Sequence, residues 1–322
     1  MRIVCKTIGL MLTIGLLFSL NVTAQTYPSK PIKVIVPYPP GGGTDVLTRL
    51  LTTQLLATNG ETFFIDNRPG GDATIGAALA AKSAPDGYTL LAVSGVPFVI
   101  NQLVFSKLPY KILEDFEPVG LFASGPLVLV VHSSFPANTG KELIELLKNN
   151  PDKYSYAGSD QFTYLTMEMI LNSTGTKMTH VPYKGVGPSL NDVAGGHIPI
   201  MLSSLAPAIP FIQGKRVKAL LVTSATRTPA LPDVPTVAES IIPGYDVNAW
   251  YGVFAPKGTP SQVVMQLSQS INKATEGADI RKNLANLGTV TVRAEPEPFR
   301  NFLRAELEKW RGVVKATNIP VQ

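Results

Sequence analysis

The residues best suited to chemistry form one run, Pro37-Tyr38-Pro39-Pro40-Gly41-Gly42-Gly43-Thr44-Asp45. The prolines stiffen it, because each fixes φ near −65° and lacks an N–H. The three glycines carry no Cβ, so their amides can approach a ligand closely. An apolar strand pattern over 32–36 precedes the run, and a helical pattern over 45–57 follows it. Thr44 or Asp45 is expected to cap that helix. A helix start presents unpaired N–H groups and about half a positive charge, which suits an anion such as a small carboxylate. The run matches neither G-x-x-x-x-G-K-[ST] nor G-x-G-x-x-G, so a nucleotide fingerprint is absent.

The elements around this loop alternate. Strands are predicted over 32–36, 62–66 and 88–93, with helices over 45–57 and 73–81 between them. Such an order implies a mostly parallel sheet covered on both faces, with ligands at the carboxyl ends of the strands. A further strand is predicted over 119–122, then a second unit with strands at 127–131, 154–157, 198–202 and 217–223. Its helices are expected over 141–149, 163–172, 189–193 and 206–213. The chain then gives a strand over 248–254 and helices over 260–275, 279–287 and 298–316. The last helix carries Phe299, Phe302, Leu303, Leu307 and Trp310 on one face, which is expected to return to the first unit.

The chain has 322 residues, 45% of them hydrophobic and 16% charged, enough for two ordered domains. Arg2 and Lys6, an apolar run over 8–20 and Val22-Thr23-Ala24 read as a signal peptide over 1–24, cleaved after Ala24. The apolar run is shorter than the roughly 20 residues a spanning helix needs. The only cysteine, Cys5, lies in that segment, which leaves no disulfide, thiolate or cysteine metal site beyond it. Net charge is +5, two units of which, Arg2 and Lys6, leave with the signal. The basic residues do not cluster with aromatics, so no nucleic-acid partner is expected.

Enzyme signatures are missing: there is no G-x-S-x-G and no H-E-x-x-H. His132, His180 and His197 lie far apart and read as strand-end structural histidines. Arg68 suits either a ligand carboxylate or a surface position. Tyr183-Lys184-Gly185 suits either ligand contacts or a plain turn. Tyr251 is placed to stack on a ligand, and Trp250 to pack near the crossover.

Further along, several stretches resemble the Bug receptors, the extracytoplasmic substrate-binding proteins of tripartite tricarboxylate transporters (TctC-like). They are Pro37 to Asp45, Asn67-Arg68-Pro69-Gly70, Ala84-Pro85-Asp86-Gly87-Tyr88-Thr89-Leu90, Lys107-Leu108-Pro109-Tyr110, Val181-Pro182-Tyr183-Lys184-Gly185, Leu231-Pro232-Asp233-Val234-Pro235-Thr236 and Trp250-Tyr251-Gly252 with Ala255-Pro256. The resemblance implies two doubly wound α/β domains of the periplasmic binding protein type II kind, joined by a two-strand hinge. Domain 1 would be 25–124 with 246–322, and domain 2 would be 125–245. It implies a periplasmic, monomeric receptor with no cofactor or metal. That receptor would capture a small organic carboxylate by main-chain groups and water, close on it, and hand it to a large and a small integral membrane subunit. A ligand sensor acting on a membrane kinase and a secreted hydrolase or lyase are the competing readings.

Candidate ligand contacts in domain 1 and the crossovers are Tyr38, Pro40, Gly41, Gly42, Gly43, Thr44, Asp45, Gly70, Gly71, Asp72, Thr74, Ser94, Ser124 and Tyr251. In domain 2 they are Gly158, Ser159, Asp160, Gln161, Tyr164, Tyr183, Lys184, Ser203 and Ser204. This chain departs from the family pattern at Pro69-Gly70-Gly71-Asp72-Ala73-Thr74-Ile75-Gly76, where Pro-Gly-Ala-Gly-Gly-Asn-Ile-Gly is usual. It also departs at Gly158-Ser159-Asp160-Gln161-Phe162-Thr163-Tyr164, at Val186 and at Ser203. An Asp160 facing the cleft would repel a second ligand carboxylate and favour an amide, hydroxyl or ammonium on a monocarboxylate. An Asp160 that only caps the next helix would do neither.

Overall fold

A computed structural model describes residues 27–316, so the expected signal segment lies outside the described residues. The chain opens with strand β1 (Ile32–Val36), helix α1 (Gly43–Asn59), β2 (Phe63–Asn67), α2 (Thr74–Ala81) and β3 (Thr89–Ser94). Next come α3 (Gly95–Val104), the short α4 (Ile112–Asp115) and β4 (Phe116–His132). The middle of the chain forms α5 (Gly140–Asn149), β5 (Ser155–Gly158), α6 (Gln161–Thr174), β6 (Thr179–Pro182) and α7 (Val186–Ala194). It continues with β7 (Ile200–Ser204), α8 (Leu205–Gln213), β8 (Val217–Val222) and α9 (Val237–Ser240). Last are β9 (Asn248–Pro256), α10 (Ser261–Glu276), α11 (Ala278–Asn286) and α12 (Pro296–Ala316).

The architecture is α/β in two halves, and β4 is what joins them. Its first part, Phe116 to Pro126, pairs antiparallel with β9, in a sheet ordered β2-β1-β3-β9-β4. Its second part lies between β7 and β8, both antiparallel to it, and β7 continues through β5 to β6. Strands β1, β2 and β3 are mutually parallel, as are β5, β6 and β7. Sequence reading divides β4 into two strands, at 119–122 and 127–131. Gly120, Gly125 and Pro126 look like breaks there, but the ladder takes up Gly120 with register shifts between Pro118 and Gly120 and between Leu121 and Ala123, and runs in unbroken register through Gly125 and Pro126. Gly125 lies against Thr289, where a Cβ would stand 2.8 Å from its Cγ2.

The return crossing runs beside β4. Thr223, fully buried, takes its amide to Leu127 O at 3.0 Å and its hydroxyl to Val247 O at 2.7 Å. Ser124 Oγ donates to Ala249 O at 2.9 Å, which ties β4 to β9 at the same level. The polar groups at the crossing are thus satisfied within the two strands themselves, as buried backbone requires.

Helix α3 has no counterpart in the sequence reading. Its residues are uncharged and apolar except Asn101 and Gln102, and Gly95 to Asn101 are all buried, so no clear polar face marks it. Pro97 sits in its first turn, where a missing N–H costs nothing. Helix α12 packs Phe299, Leu303 and Trp310, each at most 1% exposed, onto α3 and β4. It also reaches the second half, where Trp310 meets Phe162 of α6 edge-on at 5.7 Å.

Candidate ligand-binding cleft

The cleft is built from strand ends. Loops after β1, β2 and β3 face loops after β5, β6 and β7, while α1 meets α8 and α3 meets α6 across the gap. Two connected chambers result. The outer one, about 880 Å³, is lined by Tyr38, the loop from Pro69 to Ala73, Gly158 to Gln161, Tyr164, His180 and Pro182 to Gly185. The inner one, about 40 Å³, is lined by Gly42, Gly43, Thr44, Ser94, Ser204 and Tyr251, among others. Tyr38, Pro39, Ser159, Asp160 and Gly185 belong to both, so Asp160 stands at the neck.

The inner chamber is floored by the start of α1. Gly42 is the N-cap and makes no side-chain capping bond, so neither Thr44 nor Asp45 caps this helix. The first helical bond runs from Val46 N to Gly42 O at 3.0 Å, and the amides of Gly43 and Thr44 have no partner among the described residues. Thr44 is 4% exposed and lines the inner chamber. A Cβ on Gly43 would lie 2.7 Å from Ser204 Oγ and 3.2 Å from Tyr251 Oη. Amides and the Tyr251 hydroxyl from the first half and the Ser204 hydroxyl from the second therefore border one space of about carboxylate size. Burial first, and then the charge of Asp160, raise the Tyr251 phenol, so it stays a neutral donor. The Tyr38 phenol is raised for the same reasons, with Asp72 adding to them.

Asp45 has a structural role instead. Its Oδ2 accepts from Gly41 N at 2.9 Å and Arg49 Nε at 3.0 Å, and its Oδ1 accepts from Asn67 Nδ2 at 3.0 Å. Burial opposes its charge, but the Arg49, Gly41 and Asn67 hydrogen bonds and the Arg49 charge outweigh it and hold the carboxyl below its usual range. A depressed folded pKa contributes stability above the unfolded value near 4, and this is lost as pH falls through the folded value. Asp45→Asn is therefore expected to cost about 2 kcal/mol at neutral pH. Urea unfolding should show that gap against the parent narrowing in acid; a gap independent of pH would contradict the assignment.

Other expected contacts also lie away from both chambers. Pro40 and Gly41 are exposed, and the Gly41 amide is taken by Asp45. Thr74 Oγ1 donates to Gly71 O at 2.6 Å, closing the loop before α2. Ser124 is spent between the crossing strands, and the fully buried Ser203 turns its hydroxyl to Ser204 O at 2.9 Å. Arg68 pairs with Asp66 at 2.8 Å on the surface. Trp250 packs under α12, while Tyr251, next along β9, reaches the chamber.

In the second half Asp160 does two things. It is the N-cap of α6, with Oδ1 accepting from Thr163 N at 2.8 Å in a capping box, and it lines both chambers. Burial raises its carboxyl despite the hydrogen bonds at the helix start. Across the gap Asp72 has φ +54°, and Ala73 after it has φ +72°. Burial, then the Asp160 charge, push the Asp72 carboxyl up to about 7, with the Gln161 amide pulling the other way.

His180 is the chamber residue that sequence reading assigned only to structure. It lies between Tyr156 and Tyr164, at centroid distances of 5.2 and 4.6 Å, and it lines the outer chamber. Burial lowers its pKa, so it is a neutral aromatic wall. Parallel pairing of β5 with β6, which sets Tyr156 opposite His180, is what brings it there.

Residues 47–319 match the family described as the tripartite tricarboxylate transporter family receptor. Protein BugT of Bordetella pertussis is 36% identical over 301 residues, 92% of each chain. Among solved structures, the R. palustris protein Rpa4515 with adipate has a TM-score of 0.88 at 32% identity, covering 91% of this chain and 99% of that one. MatC from Rhodopseudomonas palustris with bound malate has a TM-score of 0.82 at 31% identity, covering 89% of this chain and all (100%) of that one.

Proposed function

This chain belongs to the tripartite tricarboxylate transporter receptor family, and on that premise we propose that it is a periplasmic receptor for a small organic carboxylate. Export would use the segment over 1–24, with cleavage after Ala24. The two closing bodies would be 25–124 with 246–322, and 125–245, hinged where β4 and the chain before β9 cross. The loaded form would deliver its ligand to a large and a small integral membrane subunit.

One observation carries the reading: free amides at the start of α1 face Ser204 and Tyr251 across an inner chamber sized for a carboxylate. Each half supplies part of that grip, so the ligand stabilises the closed arrangement of the two. The adipate and malate named for the two neighbours are both carboxylates, which agrees with this end of the site. The test is whether ligand-stripped protein takes up a carboxylate and fails to take up the corresponding amide.

A further inference from the structure

We propose that the ligand is a zwitterion, with its carboxylate in the inner chamber and its ammonium between the carboxylates of Asp72 and Asp160. This rests on the receptor reading and adds the chemistry of the ligand's other end. The two acids come from opposite halves, and both line the outer chamber, where Asp160 also forms the neck to the inner one. Neither makes an ion pair with any cation among the described residues. Lys184, the lysine lining that chamber, is exposed at its rim.

The placement of Asp72 is rigid. Its carbonyl accepts from Asn101 Nδ2 at 2.6 Å, and Asn101 is fully buried. Its left-handed backbone, unusual for a residue with a side chain, is held against that anchor. At the opposite end of the path the free α1 amides and the Ser204 and Tyr251 hydroxyls beside them independently call for an anion. One end of the cleft is therefore donor-rich and the other acceptor-rich.

Burial raises both carboxyls, and the Asp160 charge adds to the rise at Asp72. A ligand ammonium placed between them opposes that rise, whereas a second ligand carboxylate adds to it. A ligand amide donates to one acid without neutralising either. The order expected at the outer end is therefore ammonium, then amide, then methyl, with carboxylate last.

The experiment is calorimetric titration of the mature chain at neutral pH. The probes are glycine, alanine, β-alanine and γ-aminobutyrate, with the monoacids and diacids of matching length. The tightest zwitterion should bind at least about ten-fold more strongly than its matched diacid. In the double variant Asp72→Asn with Asp160→Asn that preference should vanish or invert. Asparagine keeps the α6 cap and tolerates positive φ, so both substitutions should fold, as an unfolding curve will verify. Monoacids and diacids binding as well as zwitterions, with the same ranking in the variant, would overturn the inference and leave the receptor reading standing. No binding by any carboxylate to either protein would contradict the receptor reading itself.

Discussion

Replacing Gly43 by valine is expected to weaken ligand binding by roughly a hundred-fold while the protein remains folded. Gly43 opens α1, and a Cβ there would stand 2.7 Å from Ser204 Oγ, which closes the inner chamber from the other half, and 3.2 Å from Tyr251 Oη of its own half. The branched methyls would fill a space of about 40 Å³ and cover the free amides. Losing two hydrogen bonds to a charged group, at about 1.5 kcal/mol or more each, gives about 3 kcal/mol. That converts to the hundred-fold stated. Stability should fall only modestly, because valine is a slightly better helix former than glycine and the Ser204 hydroxyl can rotate, although Ser204 Cβ, 3.1 Å from the new Cβ, has to shift. Titration with any carboxylate that binds the parent checks this, with thermal unfolding alongside. An affinity within about three-fold of the parent would place the carboxylate elsewhere.

The largest effect on stability is expected at Trp250. Its ring is 4% exposed and stands edge-on to Phe302 at 5.2 Å and Phe299 at 5.8 Å. It lies so close over α3 that a Cβ on Gly95 would fall 1.9 Å from its Cη2. Its Nε1 donates to Glu306 Oε2 at 2.9 Å, and Trp310 Nε1 donates to the same oxygen at 3.2 Å. Trp250→Ala leaves a cavity and withdraws one donor from a buried carboxylate, for a cost of about 3–5 kcal/mol. In a protein this large each kcal/mol is worth about 2–4 °C, so the midpoint should fall by roughly 6–20 °C. Trp250→Phe keeps most of the packing and leaves Glu306 its bond to Trp310, so less than half that fall is expected. Equal losses in the two variants would mean that the indole hydrogen bond, and not packing, holds α12 in place.

How much of this was legible in the sequence depends on distance along the chain. The strand-then-helix alternation came from local patterns, and β1, α5 and β8 lie where those patterns put them. The family resemblance supplied the two-domain α/β fold. What local pattern could not give was β4, whose glycines and prolines look like breaks but are tolerated by partners far along the chain. Helix α3 was missed because burial on all sides erases the periodicity that betrays a helix.

The cleft shows the same limit. The glycine run was readable as an anion site, but the amides that remain free are those of Gly43 and Thr44, because Asp45 folds back onto Gly41. Asp160 was readable as either a cap or a cleft residue, and it is placed as both because α6 begins at the chamber neck. That Asp72 would face it from the other half is a tertiary fact with no local signal.

The central claim is that the inner chamber takes a carboxylate, and the most direct measurement is a thermal-shift comparison of acids with their own primary amides. The protein should be the mature chain, unfolded and refolded to strip any bound ligand. At about a hundred times its Kd, a true ligand adds about 2.7 kcal/mol, a rise of several degrees. The account predicts at least one acid that gives this rise and whose amide does not. Stabilisation only by compounds without a carboxylate, or equal stabilisation by an acid and its amide, would contradict it.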